Sequence, residues 1–182
     1  MTDTDSLQRL IAEYDRALAH TDRLWLDLSA DEVCWRQDEN ASAIGWHLGH
    51  QPAVAHFMVR NLTAAEPSLD VDLDKLMDSA TPEPLRGDLP ELDRLRHYRD
   101  GVAERVRFRI GNIAAGDVGA PTQLAIVAEI LLVAVINHEY QHSQWIGEVR
   151  FQALGHGLPD PPVSEMLSIA DGYPVIDPRS IA

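Results

Sequence analysis

Two histidines, His138 and His142, lie four residues apart near the end of a long apolar segment. This spacing places both imidazoles on the same side of an α-helix, one turn apart. Imidazole nitrogens bind divalent transition metals, so a stacked pair on a core-facing stripe indicates a metal site. The same residues also form the pattern His-Glu-x-x-His, in which zinc metalloproteases use the glutamate, here Glu139, as general base. Two separately hydrogen-bonded core histidines are the third interpretation.

The residues around this pair show which way it faces. On a helix that turns by about 100° per residue, Val127, Leu131 and Trp145 fall within about 20° of His138, and His142 falls about 40° away. The two histidines therefore continue an apolar stripe toward the interior. Glu139 lies about 100° to one side, which makes it and Gln141 candidates for orienting the metal ligands rather than for binding the metal.

A second helix upstream offers a third inward imidazole. Around His50 the same geometry brings Ala43, Trp46, Val54 and Phe57 within about 40°. Three inward imidazoles from two helices match a site with three protein ligands and one open position. The sequence therefore predicts a metal site formed by His50, His138 and His142.

The remaining histidines and the cysteine have simpler interpretations. His47 lies about 60° from His50, at the edge of the same face, and His56 lies about 120° away, facing solvent or the flank. Cys34 is expected to be a small packed side chain, with a reactive thiol as the alternative. Three further histidines are expected at the surface or at helix ends, namely His20, His97 and His156.

Helical periodicity predicts an all-α protein in which these residues lie on a four-helix bundle. The predicted helices cover about 4–28, 42–62, 91–110 and 121–154, with a kink or break at Pro52 because proline cannot donate to the Leu48 carbonyl. A long connection joins the second and third helices and contains one short helix near 71–77. The tail, 155–182, is expected to be irregular surface coil with a short helix near 164–170, so that 1–182 forms one domain with its core at 4–154.

Composition narrows the classes of partner. The 182 residues carry a formal net charge of −14, and such a surface repels phosphate backbones and anionic membranes. A single cysteine gives no disulfide, and the apolar run Leu124 to Ile136 is shorter than the roughly 18–20 residues of a spanning helix. We therefore expect a cytoplasmic protein with a small-molecule substrate and no nucleic-acid or membrane partner. Because this run is apolar all round, we also expect a homodimer.

The two histidine motifs together resemble the DinB-like superfamily. Ala43-Ile44-Gly45-Trp46-His47-Leu48-Gly49-His50, followed much later by His138-x-x-x-His142, carries the resemblance, which extends from the first helix through Arg150. It implies a metal-binding four-helix bundle whose three-histidine site takes one ligand from the second helix and two from the last. It assigns the first ligand to His50 rather than His47.

Two subgroups are relevant. The string from His138 to Gln144 and the stretch 89–99 are similar to the DinB-like domain of ergothioneine-type sulfoxide synthases, which bind iron and use oxygen. Those enzymes carry a large second domain, which we do not expect in this protein. Relatives of similar length include the mycothiol-dependent maleylpyruvate isomerase and the thiol S-transferases that use mycothiol or bacillithiol, in which a divalent metal activates the cofactor thiol.

The resemblance therefore implies a divalent-metal protein, with zinc, nickel or iron as the ion, that acts as a transferase or isomerase with a small thiol such as mycothiol. A non-enzymatic or vestigial metal-binding protein of the same fold is the main alternative. An iron-dependent oxygenase and a metalloprotease with Glu165 as third ligand are further alternatives. Residues that would contact the substrate or the thiol are not indicated by the sequence.

Overall fold

The computed structural model describes residues 3–181, and the ends 1, 2 and 182 of the predicted domain lie outside the described residues. Four long helices build the molecule: α1 (Asp3–Trp25), α3 (Ile44–Val59), α5 (Leu92–Ala115) and α6 (Pro121–Glu148). Two short ones, α2 (Ala30–Val33) and α4 (Val71–Leu76), lie in the connections. The prediction of an all-α four-helix bundle is confirmed.

Side-chain bonds between the helices show their relative directions. Ser6 donates a hydrogen bond to Glu129, and Thr21 donates one to Glu139, so α1 and α6 run parallel. Helix α5 is antiparallel to α1, and helix α3 is antiparallel to α6. The chain therefore passes through the bundle in an up-down-down-up order, and only a long crossover can join the parallel helices α3 and α5. The core between them contains buried side chains from every long helix, including Leu7, Leu10, Trp46, Val102, Val106, Ile110, Leu132 and Ile136.

The crossover is an ordered layer along α3 and α5. Asp70 caps α4 by accepting hydrogen bonds from the amides of Asp72 and Leu73, which agrees with the short helix predicted near 71–77. A 3₁₀ turn, Glu83–Gly87, follows α4. Of the two expectations for His56, solvent or the flank, solvent is wrong. His56 is buried because the crossover covers this side of α3, and its ring lies between Asp74 and Arg105.

α3 passes through Pro52 as one continuous helix, so of the predicted kink or break the break is wrong and the kink stays a prediction. Proline still leaves the Leu48 carbonyl without its usual amide donor. The Arg99 guanidinium of α5 takes that place, with Nη1 at 3.5 Å from the carbonyl oxygen. A buried side-chain donor from a neighbouring helix thus compensates for the missing backbone hydrogen bond.

The C-terminal segment differs from the predicted coil. α6 ends in a π-helical turn, Val149–Ala153, and the tail then forms an antiparallel hairpin of β1 (Leu167–Ala170) and β2 (Tyr173–Ile176). Asp171 and Gly172 form the two-residue turn, both with positive φ, which is the typical geometry of a tight hairpin. The Ile176 amide donates to the Asn137 side chain of α6 at 2.8 Å. The short helix predicted near 164–170 is therefore wrong.

The outer face of α6 is apolar and exposed. Ile130 keeps 64% of its surface accessible, and Ile126 and Val127 beside it are also exposed. With its π-helical turn, Pro121–Ala153 is the one described helix that is long and apolar enough to cross a membrane, a criterion that core helices of soluble proteins also meet. Its inner face packs along α1 and α3 and carries buried Glu139, which would be costly in a bilayer. The cytoplasmic location and the homodimer stay predictions.

If a homodimer forms, we expect it to use this face, because the face carries no free charge. Glu129 is the one acidic residue between Pro121 and Asn137, and it accepts a hydrogen bond from Ser6 of α1. Replacing Ile126 and Ile130 together by glutamate should convert a dimer to a monomer in size-exclusion chromatography with light scattering. The matched control is Leu26→Glu, at an exposed apolar site after α1. A monomeric wild-type protein at micromolar concentration would contradict the prediction.

Candidate metal centre

The three predicted ligands converge between α3 and α6. One nitrogen from each of His50, His138 and His142 lies within 4.8 Å of the others, and we call these residues the histidine triad. The ring centroids are 4.3 Å apart for His138 and His142 and 5.1 Å apart for His50 and His138. A tetrahedral zinc ion with bonds of about 2.0–2.1 Å holds its ligand nitrogens about 3.4 Å apart. Small side-chain rotations would therefore suffice to close the triad on an ion.

The crossover fixes the orientation of His50. Its Nδ1 donates to the Met77 carbonyl at 2.6 Å, which leaves Nε2 as the free nitrogen. Met77 can approach this closely because residue 49 is glycine, since a Cβ there would lie 2.5 Å from the Met77 sulfur. On its other face the imidazole stacks on Trp46 at 4.5 Å, and the Arg86 guanidinium lies 4.2 Å from the Trp46 ring centroid.

His47 forms a second layer behind the triad. Its Nδ1 lies 2.8 Å from Nδ1 of His142, and His142 has a free lone pair on Nε2 when it is the donor in this hydrogen bond. His47 is buried and lies one helical turn before His50, where the sequence placed it at the edge of the same face. The group of nitrogens close enough to share one ion contains His50 and not His47, as the family resemblance implied.

Burial keeps these imidazoles neutral. Desolvation lowers the pKa of His138 to about 4 and that of His47 to about 3. Desolvation also lowers the pKa values of His50 and His142, and the nearby Arg86 guanidinium contributes in the same direction. Neutral rings offer their lone pairs to a metal ion without first losing a proton.

Glu139 lies away from the triad, in the interior between α1 and α5. It is 3% exposed, and its Oε1 accepts from Arg99 at 3.0 Å and from Thr21 at 2.6 Å. A carboxylate held in this way is not placed to act as general base at a triad-bound water. Glu165 keeps 88% of its side chain exposed and lies 4.0 Å from Arg9. The structure therefore does not fit the metalloprotease hypothesis.

Glu139 belongs to a buried polar network of five side chains, Thr21, Gln51, Arg99, Glu139 and Ser143. Arg99 Nη1 donates to Gln51 Oε1 at 3.1 Å, and Gln51 Nε2 donates to the Glu139 carbonyl at 2.9 Å. Ser143 Oγ donates to the same carbonyl at 2.9 Å and lies 2.7 Å from Thr21 Oγ1. The network thus joins all four long helices beside the triad.

The sequence contains a signal for this network that the predictions missed. Arg99 stands in the apolar stripe of α5 with Leu95, Val102 and Val106, at spacings of four, three and four residues. A charged residue inside such a stripe is buried, and a buried charge requires a partner. Gln141, predicted to support the ligands, is half-buried, and no hydrogen bond joins it to a histidine in the described part of the chain.

Comparison with known proteins identifies the family. A family model described as the DinB superfamily matches residues 13–146, a range that contains the whole triad. The chain belongs to the DinB superfamily. A search of curated proteins found no match. The family resemblance read from the two histidine motifs is thus confirmed, whereas the likeness to sulfoxide synthases and thiol transferases stays a prediction.

The other candidate residues of this DinB protein lie outside the site. His97 is exposed and its Nδ1 donates to the Asp93 carbonyl, and His156 pairs with Glu32 at 2.6 Å. His20 is partly buried, and desolvation lowers its pKa to about 4. Cys34 is exposed, so the expectation that it is a packed side chain is wrong.

A cavity of about 740 Å³ is lined by Met77 but by none of the three triad histidines. It runs between the α3 residues that follow His50 and the crossover from Asp74 to Pro82. Met77 belongs to both features, since it lines the cavity and its carbonyl holds His50. The volume is in the usual range for small-molecule sites.

The neutral histidines predict how the metal-free protein responds to acid. In the unfolded chain His47 and His138 titrate near 6.5, but in the folded protein they titrate near 3 and 4. The unfolded chain therefore binds more protons below about pH 6.5, and the free energy of unfolding should fall as the pH drops from 6.5 to 4. Urea denaturation of metal-free protein at pH 7.5, 5.5 and 4.5 measures this loss. A His138→Gln variant should lose less stability over the same interval, and an identical loss in both proteins would contradict the assignment.

Proposed function

We propose that this DinB protein binds a divalent metal through His50, His138 and His142 and acts as a metal-dependent transferase or isomerase with a small thiol cofactor. The observation that carries the proposal is the convergence of three neutral imidazoles, two of which already have Nδ1 engaged by a second partner. Metal-binding histidines characteristically use the other ring nitrogen in this way. Zinc, nickel and iron all suit such a donor set.

Three protein ligands leave a position for an exogenous ligand. When bound, a divalent ion would lower the pKa of a thiol at that position, so that the thiol loses its proton and attacks an electrophile as thiolate. In a transferase the thiolate would form a carbon–sulfur bond while the leaving group of the electrophile departs with the electrons of the bond that breaks, and the thiol proton would pass to solvent. In an isomerase it would add to a conjugated carbon–carbon double bond, whose π electrons move onto the carbonyl, and would leave again after rotation about that bond. The residues of the chain contribute by holding the triad, fixing the ring orientations and excluding water.

We take the cavity that shares Met77 with the surroundings of His50 as the candidate site for a small polar substrate. Its walls combine apolar side chains of α3, such as Phe57, with charged groups of both signs and the hydroxyl groups of the crossover; the charged residues are Arg60, Lys75, Asp74 and Asp78. Lys75 is the one lysine of the chain. Such a mixed lining fits a low-molecular-weight thiol such as mycothiol and its electrophile better than a purely apolar ligand.

Metal analysis tests the binding site directly. Protein purified without added metal, then titrated with Zn²⁺ against a chelating indicator, should bind about one equivalent, and His50→Ala should bind at least about a hundredfold more weakly because one of three ligands is lost. His97→Ala is the matched control, since this histidine is exposed and lies outside the triad. Equal Zn²⁺ affinity of His50→Ala and wild type would refute the three-histidine site.

Thiol binding separates the enzyme from a non-enzymatic metal protein. In Co²⁺-loaded protein, a thiol that enters the open position should produce a sulfur-to-cobalt charge-transfer band, and product should form when maleylpyruvate or an alkylating electrophile is added. Mycothiol, bacillithiol, glutathione and cysteine are the thiols to compare. Co²⁺ binding without a charge-transfer band or turnover for any of them would favour the non-enzymatic alternative.

A further inference from the structure

We infer that Gln51 is a positioning residue of the metal centre, through which the buried Arg99–Glu139 ion pair sets the separation of His50 and His138. The inference rests on the proposed metal binding and concerns side chains that contact no ion. Gln51 is 1% exposed and belongs to the buried polar network beside the triad. Its role follows from which residues it joins.

The bond from Gln51 Nε2 to the Glu139 carbonyl links α3 to α6 at 2.9 Å. Its two ends are the residues that directly follow His50 and His138 in the sequence. Neighbouring residues of a helix move together, because the backbone between them is rigid. The hydrogen bond between Gln51 and Glu139 therefore restrains the separation of the two helices where the two ligands leave the backbone.

The amide of Gln51 has only one workable orientation. Arg99 Nη1 donates to Oε1 at 3.1 Å, so the flipped amide would place its NH₂ group against a guanidinium that has no acceptor to offer. Arg99 is itself held by Glu139 Oε1 at 3.0 Å. The ion pair thereby ensures that Gln51 presents its donor, and not its oxygen, to α6.

The third ligand is tied into the same layer. Ser143 directly follows His142, and its hydroxyl donates to the Glu139 carbonyl that also accepts from Gln51. Each member of the triad is thus followed by a residue of the buried polar network. The residues that follow His50 and His142 are Gln51 and Ser143, and both donate hydrogen bonds to the carbonyl oxygen of Glu139.

Stability alone does not account for this arrangement. Arg99 and Glu139 are both almost completely buried, and a buried ion pair is commonly no more stabilising than apolar side chains of the same volume. What a charged pair provides and an apolar pair lacks is a defined direction for each hydrogen bond. In this protein those directions end at the backbone beside the metal ligands.

Co²⁺ binding tests the inference, because the visible spectrum of Co²⁺ reports ligand geometry independently of protein stability. Gln51→Met keeps the volume but makes neither hydrogen bond. Gln51→Glu still accepts from Arg99 but cannot donate to α6, and so retains a partner for the guanidinium if the methionine variant folds poorly. Both should weaken Co²⁺ and Zn²⁺ affinity by about 10–100-fold and change the Co²⁺ spectrum.

Val106→Ala is the matched control, since it removes buried core volume from α5 two turns beyond Arg99. It should lower the melting temperature while leaving Co²⁺ affinity and spectrum unchanged. Unchanged affinity and spectrum in both Gln51 variants would overturn the positioning role alone. Failure of the wild-type protein to bind Co²⁺ or Zn²⁺ would instead refute the metal site, and the inference with it.

Discussion

The guanidinium of Arg99 is buried, and the rest of the bundle must supply its hydrogen-bond acceptors and its counter-charge. A cation removed from water must regain its lost hydration through hydrogen bonds and a counter-charge, and an unpaired partner in such a site costs about 3–5 kcal/mol. Arg99 obtains these contacts from Glu139 of α6 and from Gln51 and the Leu48 carbonyl of α3. The carboxylate of Asp22 in α1 lies 3.7 Å away. One charge on α5 thus specifies the positions of the three other long helices.

The candidate metal centre lies beside the buried polar network, but its histidines must be uncharged to bind an ion. The triad must stay neutral to bind an ion, and burial ensures it, while the network beside it contains a full ion pair. Arg86 adds a positive charge above Trp46, which disfavours protonation of the histidines below. The same charge opposes an incoming dication and favours an anion beside it.

The sequence predicted the four long helices from the spacing of residues within each helix, and it predicted the triad from that spacing together with the family resemblance. It failed where a second element decides the outcome. The angle of His56 on α3 left solvent and the flank open, and the crossover decides between them by covering that side. Pro52 was expected to kink or break α3, but the helix continues, and a donor from α5 reaches the carbonyl that the proline leaves free. In the tail, Asp171-Gly172 is a recognisable hairpin signal, which the high proline and glycine content of the segment obscured.

Helical periodicity could not have shown what the crossover contributes to the site. Its length follows from topology, because α3 and α5 run parallel and the chain must return along the whole bundle between them. On that return it brings the Met77 carbonyl to His50 and the Arg86 guanidinium to Trp46. Both approaches depend on close packing against α3, where a Cβ at Gly45 or Gly49 would lie 2.5 Å from the Leu89 or Met77 side chain. The two glycines of the Gly-Trp-His-Leu-Gly-His string therefore let the crossover pack close enough to orient His50 of the candidate metal centre.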